Sequence, residues 1–190
     1  MYTPAHFEIQ DRAELVSFMR RYNFATLVFA AGESLTAAHA PLVVRESEGG
    51  LTLAGHLSRA GLTSLFSDVL VIFTGPHAYI SPSLYESKQS VPTWNYTAVH
   101  AYGKAHAVEA EPVLMELVDA MEPVYRQQWS ALPEEYRARM IAAVIAFEIG
   151  VDRLEGKYKL SQNRPVEDQR RVSEAFRGTE LGEFMQKARQ

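Results

Sequence analysis

Cysteine is absent from all 190 residues of the sequence. Without it the chain can form no disulfide, no zinc-thiolate site and no cysteine nucleophile. Long apolar runs are also missing, since no uninterrupted hydrophobic segment approaches the roughly 18 residues that span a bilayer. The sequence opens without a basic region followed by an apolar run, so it does not match a signal peptide. These absences predict a cytoplasmic protein with no membrane span.

An excess of positive charge is missing as well. The formal net charge is −4, from 19 basic and 23 acidic residues. Proteins that bind duplex DNA directly usually carry a strongly basic surface. One local exception is the stretch 153–171, which holds six basic residues against three acidic ones. DNA therefore stays open as a partner, but the overall charge does not support it.

Familiar catalytic motifs are not present either. The sequence contains no nucleophile elbow, no Walker loop and no dinucleotide-binding fingerprint. Six histidines occur, yet no two of them have the HxH or HxxxH spacing of a metal site, and no metal is expected. The sequence therefore favours ligand binding over a named catalytic mechanism.

Hydrophobic residues make up 47% and charged residues 22% of the chain, as in an ordinary globular protein. Residues 1–190 are predicted to form a single domain, with 165–190 as a helical extension of it. Apolar and alternating patterns predict six strands. They cover residues 24–30, 35–44, 51–57, 69–73, 94–109 and 147–153, with a short extended piece at 77–82 and a bulge at Gly103.

Helical patterns are predicted near the N-terminus and in the second half of the chain. Asp11 has the spacing of a capping residue for a helix that continues to Tyr22. Further helices are predicted over 111–125, over 133–145 and after residue 165, and Ser58 could cap a short helix reaching Phe66. Strands first and helices late indicate an α+β fold, mainly β, built on a closed antiparallel barrel with flanking helices.

The stretches 75–82, 91–100 and 156–164 are richer in polar and aromatic groups than a core requires, and we interpret them as a ligand site. Three stretches offer specific contacts to a ligand. The first, 55–60, ends a strand and contains Ser58 and Arg59. A helix N-terminus there, with a hydroxyl and a guanidinium beside it, would suit a phosphate. The alternative is an N-capping serine next to a solvated arginine.

The second stretch, Thr93 to Tyr96, offers an aromatic wall with amide and hydroxyl groups that could read the edge of a heteroaromatic ring. A tryptophan in the core with exposed neighbours is the alternative. The third stretch, 156–164, is basic and contains Ser161 and Gln162. It could be a solvated turn, or it could grip a phosphate or a partner subunit.

Together these runs resemble the PaiB-type FMN-binding negative transcriptional regulator family. The runs that carry the resemblance are 1–7, 39–42, 55–60, 71–82, 91–100 and 156–164, read as MYTPAHF, HAPL, GHLSRA, VIFTGPHAYISP, VPTWNYTAVH and GKYKLSQNR. The resemblance extends from the first residue to about Val172. No single run is specific, but the set is.

The resemblance implies a six-stranded antiparallel split β-barrel with Greek-key topology, related to pyridoxamine-phosphate oxidase-like flavoproteins. It also implies a homodimer with FMN at the subunit interface. Ser58 and Arg59 would lie near the phosphate. The cofactor-binding residues it implies are His39, His56, Leu57, Ser58, Arg59, Ala60, Thr93, Trp94, Asn95, Tyr96, Lys157, Ser161 and Gln162.

Three functions stay open on the sequence alone. The family description implies a regulator that binds FMN, and the first alternative is a flavin-dependent oxidoreductase of unknown substrate. A haem-handling protein is the third, because related barrels include such members. The dimer also has support from composition. A chain with nine Phe, nine Tyr and amphipathic helices is expected to have apolar surface that a second subunit would cover.

Overall fold

The computed structural model describes residues 1–61 and 68–189, which form an α+β protein with eight strands and six helices. The strands are β1 (Glu8–Ile9), β2 (Phe24–Ala31), β3 (Ser34–Pro41), β4 (Val43–Ser47), β5 (Gly50–Ser58), β6 (Asp68–Ile80), β7 (Thr93–Val108) and β8 (Val144–Lys159). The helices are α1 (Arg12–Arg21), α2 (Ala110–Met121), α3 (Tyr125–Ala131), α4 (Glu134–Ala142), α5 (Val166–Ala175) and α6 (Glu180–Lys187). None of these helices is long and apolar enough to cross a bilayer.

The strands form one sheet in the order β3-β2-β6-β7-β8-β5-β4, with β1 paired to β8. The pairs β2–β3, β2–β6, β4–β5, β5–β8 and β1–β8 are antiparallel. The antiparallel α+β prediction is confirmed, but the count of six strands is wrong. Closure of the sheet into a barrel stays a prediction.

The strand count differs because the stretch 35–44 is not one strand. It breaks between Pro41 and Val43, and its halves pair with different neighbours, β3 with β2 and β4 with β5. At the break the buried Leu42 donates its N–H to the Asn23 carbonyl at 2.9 Å. Proline cannot donate to a ladder, which explains why β3 lies at the edge of the sheet and ends there. The two-residue β1 is the other added strand.

Another correction concerns β6, which does not end at residue 73 but continues through Gly75 and Pro76 to Ile80. The short extended piece at 77–82 is therefore mostly the second half of this strand. Pro76 has no N–H to offer, yet its carbonyl accepts a hydrogen bond from the Thr97 hydroxyl at 3.3 Å. A proline inside a strand is tolerated where its missing donor is not needed.

The described residues fall into two compact units. The terminal unit comprises Met1–Leu15, Thr74–Val99 and Glu155–Gln190, and the central unit comprises Val16–Phe73 and His100–Leu154. The single-domain interpretation stays a prediction.

In the central unit, α2 covers one part of the sheet. Val113 and Leu117 of α2 pack with Ala54 of β5 and Ala146 of β8 in a buried cluster. These two helical residues are four apart and therefore lie on one face of the helix. The apolar face of α2 is thus the face that the protein buries.

The helix predicted over 133–145 ends earlier, at Ala142, and Val144 and Ile145 begin β8 instead. Both are β-branched residues, which favour strands over helices. None of the residues of α4 is buried, so the apolar side chains of this helix do not enter a core.

The helix predicted to start at Ser58 is also wrong in its described part. Ser58 is the last residue of β5, paired with Val144, and Arg59–Gly61 forms one short 3-10 turn. The rest of that prediction, up to Phe66, lies outside the described residues. At the N-terminus the Asp11 cap is confirmed, since its Oδ1 accepts the Ala13 N–H at 2.9 Å before α1.

Strand β7 alternates between buried and exposed side chains along its length, and the alternation passes through Gly103 without changing face. Gly103 therefore does not form the predicted bulge, and another constraint explains the glycine at this position. A Cβ atom there would lie 2.0 Å from the Gly150 carbonyl oxygen on the neighbouring strand. Glycine is required because two backbones touch at this point.

Replacing Gly103 by alanine should therefore destabilise the protein strongly, by about 2 kcal/mol or more, because backbone atoms cannot move aside as a flexible side chain can. Gly150→Ala is the matched control, since a Cβ at Gly150 meets no atom within 4 Å. Its free energy of unfolding should stay within about 0.5 kcal/mol of the parent. Urea unfolding of both variants measures the difference, and equal midpoints would contradict the contact.

Candidate functional site

The terminal unit brings together the predicted site residues from the start of β7 and the end of β8. We call this group the aromatic–basic cluster. Its members are Thr93, Trp94, Asn95, Tyr96, Lys157, Lys159, Ser161 and Gln162. All of them except Lys159 were predicted from the sequence.

Asn95 and Ser161 join the two ends of the cluster. Asn95 is fully buried, and its Nδ2 donates to the Ser161 Oγ at 2.9 Å. The Asn95 Oδ1 is buried without a hydrogen-bond partner among residues 1–61 and 68–189. Ser161 has a φ of 72°, a left-handed conformation rare for residues other than glycine. A strained residue and an unsatisfied buried acceptor at one spot are typical of a binding site.

Two lysines add positive charge to the cluster. Lys157 is largely buried, with its Nζ 3.0 Å from the Tyr2 carbonyl oxygen and 5.3 Å from the centroid of the Tyr96 ring. Lys159 donates from its Nζ to the Thr93 hydroxyl and to the Trp94 carbonyl. In the described part of the chain no carboxylate pairs with either lysine, so their charge is not neutralised locally.

The excess of positive charge in the cluster affects the pKa of Lys159. Burial lowers the pKa of Lys159, and the repulsion of Lys157 and Arg164 lowers it further. All three causes disfavour the charged form. An anion placed beside this ammonium group would relieve the repulsion.

Trp94 is not a core residue. More than half of its surface, 54%, is exposed, and Tyr79 beside it is 49% exposed. The ring centroids of Trp94 and Tyr79 are 6.1 Å apart with the planes at 74°, and the His77 ring lies 6.3 Å from Trp94 on the same strand as Tyr79. The core alternative for Trp94 is therefore wrong, and a flat aromatic surface is available at the cluster.

Gln162 supports the cluster and has little capacity left for a ligand. Its Oε1 accepts from the Leu160 N–H at 2.6 Å, and its Nε2 donates to the Tyr158 carbonyl at 2.6 Å. Both ends of the amide hold the turn that contains Ser161. We therefore interpret Gln162 as a residue that positions Ser161.

The remaining predicted residues lie in the central unit. His39 is exposed on β3, where its Nδ1 is 3.0 Å from the Thr26 hydroxyl and its ring stacks at 6.2 Å on Phe24. Leu57 follows His56 on β5 and is half-buried, whereas Ser58, Arg59 and Ala60 are exposed. Exposure leaves the last three accessible to a ligand.

Arg59 already has partners within the protein. Its Nε donates to the Ala142 carbonyl at 2.9 Å, and its Nη2 donates to the Val144 carbonyl at 3.0 Å. Its backbone N–H donates a hydrogen bond to the Ala143 carbonyl at 3.0 Å. Arg59 thus satisfies carbonyl groups left free where α4 ends. Only part of its guanidinium remains for a phosphate.

His56 lines a cavity of about 510 Å³ beneath α2, α3 and α4. Its Nδ1 is buried without a partner in the described ranges. Burial lowers the pKa of His56 below its ordinary value of 6.5, so the ring is neutral at pH 7. Among residues 1–61 and 68–189 no three His, Asp or Glu side chains are grouped as metal ligands.

Sequence reasoning missed Lys159, Tyr79 and the cavity wall. Lys159 could have been found, because it is two residues from Lys157 on a strand and shares its face. Tyr79 lies in the run 71–82 that carries the family resemblance, but the resemblance named no cofactor-binding residue in that run. Trp129, which also lines the cavity, belongs to α3, and no pattern in the sequence predicted that helix.

Comparison with known proteins places the chain in a family. Residues 1–153 match the family model described as "Putative FMN-binding domain". The protease synthase and sporulation protein PAI 2 of Bacillus subtilis (strain 168) is 33% identical over 189 residues, which are 95% of this chain and 91% of that protein. The chain therefore belongs to this FMN-binding domain family. The resemblance seen in the sequence motifs is confirmed.

Solved structures agree with the fold. A FAD- and haem-binding protein from Mycobacterium smegmatis superposes with a TM-score of 0.60 at 15% identity, covering 80% of this chain and 73% of that chain. The flavocytochrome Anf3 from Azotobacter vinelandii gives a TM-score of 0.59 at 17% identity, covering 80% and 69%. At these identities the similarity is one of fold alone.

The Asn95–Ser161 link makes a prediction that two variants test. Ser161→Ala removes the acceptor, leaves the buried Asn95 amide unpaired and should cost about 1–3 kcal/mol of stability. Ser161→Gly also removes it but relieves the left-handed conformation, which recovers about 1 kcal/mol. Thermal unfolding should therefore rank the parent above Ser161→Gly and Ser161→Gly above Ser161→Ala. Identical melting of Ser161→Ala and the parent would show that the hydrogen bond contributes nothing.

Proposed function

We propose that this protein binds FMN and that the aromatic–basic cluster contacts the flavin. The observation that carries the proposal is the pair of lysines without a carboxylate partner beside an exposed tryptophan. Cations of this kind suit the phosphate or the electron-rich edge of a flavin, and an exposed indole suits its flat ring. Family membership points to the same cofactor.

The polar groups of the cluster match a flavin ring in kind. An isoalloxazine ring presents two carbonyl oxygens and one N–H along its pyrimidine edge. The unpartnered Asn95 Oδ1 is an acceptor that such an N–H could satisfy, and the lysines are donors for carbonyl oxygens. Aromatic side chains pack against ring systems with substantial burial of apolar area. The residues present therefore fit the group.

A bound flavin supplies reversible electron and hydride transfer, and the protein around it supplies binding and electrostatics. Trp94 would stack on one face of the ring and exclude water from it, and Tyr79, whose plane is at 74° to the indole, would border its edge. Lys159, held by the Thr93 hydroxyl and the Trp94 carbonyl, would place a positive charge at a fixed position. These roles require no acid or base from the protein.

The first test is a titration of the protein with FMN, followed by quenching of flavin fluorescence. Trp94→Ala should weaken binding by about tenfold or more, the usual cost of losing an aromatic stacking partner. Its fold should survive, because Trp94 is more than half exposed. Tyr136→Ala, which removes another exposed aromatic residue, is the control and should bind FMN like the parent.

Riboflavin, which lacks the phosphate, sharpens this experiment. If the lysines hold the phosphate, Lys159→Gln should weaken FMN binding and leave riboflavin binding unchanged. The family resemblance assigns the phosphate to Ser58 and Arg59 instead, and Arg59→Gln tests that assignment in the same way. A protein that takes up neither flavin at micromolar concentration would refute the proposed function.

We also propose that two copies of the chain associate through the outer face of β3, β2 and β6. Along β2 the side chains of Ala25, Leu27 and Phe29 point inward and are buried. The opposite face is mainly apolar. Its polar residues are Thr26 and His39, which contact each other, and Asp68, the one charged residue that the structure describes on it. The residues on that face are Phe24, Thr26, Val28, Ala30, Leu35, Ala37, His39, Pro41, Asp68, Leu70 and Ile72.

Large apolar side chains on this face are exposed in the single chain, as on a surface that a second protein covers. Leu35 is 79% exposed and Phe24 is 66% exposed in the single chain. The strand that carries Leu35 is also an edge strand with unpaired backbone groups. A second copy of the same face would bury both, as in a symmetric dimer.

Light scattering should therefore report a dimer for the parent at micromolar concentration. Leu35→Glu should shift the equilibrium to monomer, because two added carboxylates would be buried in a mainly apolar interface with no cation on that face among the described residues. Val124→Glu, at another highly exposed apolar residue, should leave the dimer intact. If FMN is held at the dimer interface, the Leu35→Glu monomer should also lose FMN affinity, and retained affinity would exclude an interfacial site.

A regulator acting directly on DNA gains no support from the basic stretch 153–171. Two of its six cations are neutralised by a carboxylate, the other four contact rings, hydroxyl or carbonyl groups, and the chain as a whole has a net charge of −4. Arg153 lies over Tyr102, Lys157 and Lys159 donate to Tyr2 and Thr93, Arg164 lies over Tyr85, and Arg170 and Arg171 pair with Glu167. The regulatory interpretation therefore rests on the family resemblance, and so do the oxidoreductase and haem alternatives. A cytoplasmic location stays a prediction from the sequence.

A further inference from the structure

The cavity beside His56 opens to solvent on one side, where Met121 and Glu122 are exposed. It measures about 510 Å³ and is lined almost wholly by apolar side chains of the central unit. This volume lies within the roughly 300–1,000 Å³ range of pockets that bind small molecules.

The helices around the cavity are not packed as a core would pack them. Val118 and Met121 of α2 line one wall, and Met121 is 49% exposed. Trp129 is the one buried residue of α3, and α4, which contributes Met140, has none. Helices that present apolar side chains to an unfilled volume leave dispersion contacts unmade.

Two ring nitrogens in the cavity wall have no partner. The Nδ1 of His56 and the Nε1 of Trp129 are both buried and unbonded within the described parts of the chain. A buried indole N–H without an acceptor is costly, and such groups usually find one. Both belong to side chains that line the same cavity, so one occupant could supply both missing partners.

The charges of the wall limit what that occupant can be. Among the residues that the structure describes, its lining contains no lysine or arginine, and the one carboxylate there, Glu122, is exposed to solvent. The His56 ring is neutral at pH 7 because burial lowers its pKa. An anionic ligand such as FMN would find no cation here, and burying its charge unpaired would be costly.

We propose that this cavity binds a neutral, mainly apolar small molecule carrying a hydrogen-bond acceptor, with the Trp129 indole N–H as donor. The site is separate from the aromatic–basic cluster in its residues and in its chemistry. Filling the cavity restores contacts along α2, α3 and α4, so the ligand also stabilises these helices. The ligand class follows from the lining: apolar surface for most of the molecule, and ring nitrogens for one or two polar groups.

The test uses prodan, a neutral naphthalene ketone whose fluorescence shifts to the blue in apolar surroundings. The parent protein should bind it saturably, with a blue-shifted emission. Val118→Phe fills the cavity from α2 and should weaken binding by about tenfold or more, equivalent to about 1.4 kcal/mol. Val124→Phe is the matched control, because Val124 is 71% exposed and does not line the cavity, and it should bind prodan like the parent.

A second variant tests the hydrogen bond. Trp129→Phe keeps an aromatic ring but removes the N–H, so prodan should bind about three- to tenfold more weakly, the effect of one hydrogen bond. If Val118→Phe does not fold, Met140→Trp fills the cavity from α4, whose residues are outside the core. Circular dichroism and thermal unfolding establish that each variant is folded before it is titrated.

FMN titrations of the same variants separate this inference from the proposed function. Val118→Phe should lose prodan and keep whatever FMN affinity the parent has. Unsaturable prodan binding, or equal binding by Val118→Phe and the parent, would overturn the proposal. So would competition between FMN and prodan with loss of both in Val118→Phe, which would make the cavity part of the flavin site. If only the Leu35→Glu monomer binds prodan, a second copy of the chain fills the cavity in the dimer, and the proposal is overturned.

Discussion

The hydrogen bond between Asn95 and Ser161 is the interaction on which the aromatic–basic cluster depends. It joins the start of β7 to the turn after β8, and it is made by a fully buried amide and a serine in a left-handed conformation. Because Gln162 clamps the same turn through both ends of its side chain, the serine cannot relax. Rigid support of this kind allows two lysines and an exposed indole to be held at fixed positions without a ligand to order them.

The two candidate sites have opposite chemistry, and each follows from its lining. The aromatic–basic cluster holds cations that lack carboxylate partners in the described chain, so it attracts anions and electron-rich edges. The cavity of the central unit has a neutral histidine and apolar helices, so it repels any group that must keep its charge. A flavin protein that also holds a neutral apolar molecule would have a place for a second reactant or an effector, each recognised by different forces.

Sequence patterns predicted what depends on neighbours along the chain and failed where distant contacts decide. The Asp11 cap and the apolar face of α2 are local features, and both are present. The break after Pro41 depends on two different partner strands, and the early end of α4 depends on the pairing of Val144 with Ser58. The family motifs located the aromatic–basic cluster, because each of its two parts, 93–96 and 157–162, is a continuous run in the chain. The cavity was missed, because an unfilled volume has no sequence pattern of its own.

The contact between Gly103 and the Gly150 carbonyl also acts as a device against misfolding. In a strand, a slip of one residue turns every side chain to the other face. Such a slip of β7 against β8 would bring Tyr102 or Lys104 to a point where only a hydrogen atom fits. The smallest residue of the strand therefore enforces the alignment of β7 with β8 in the central unit.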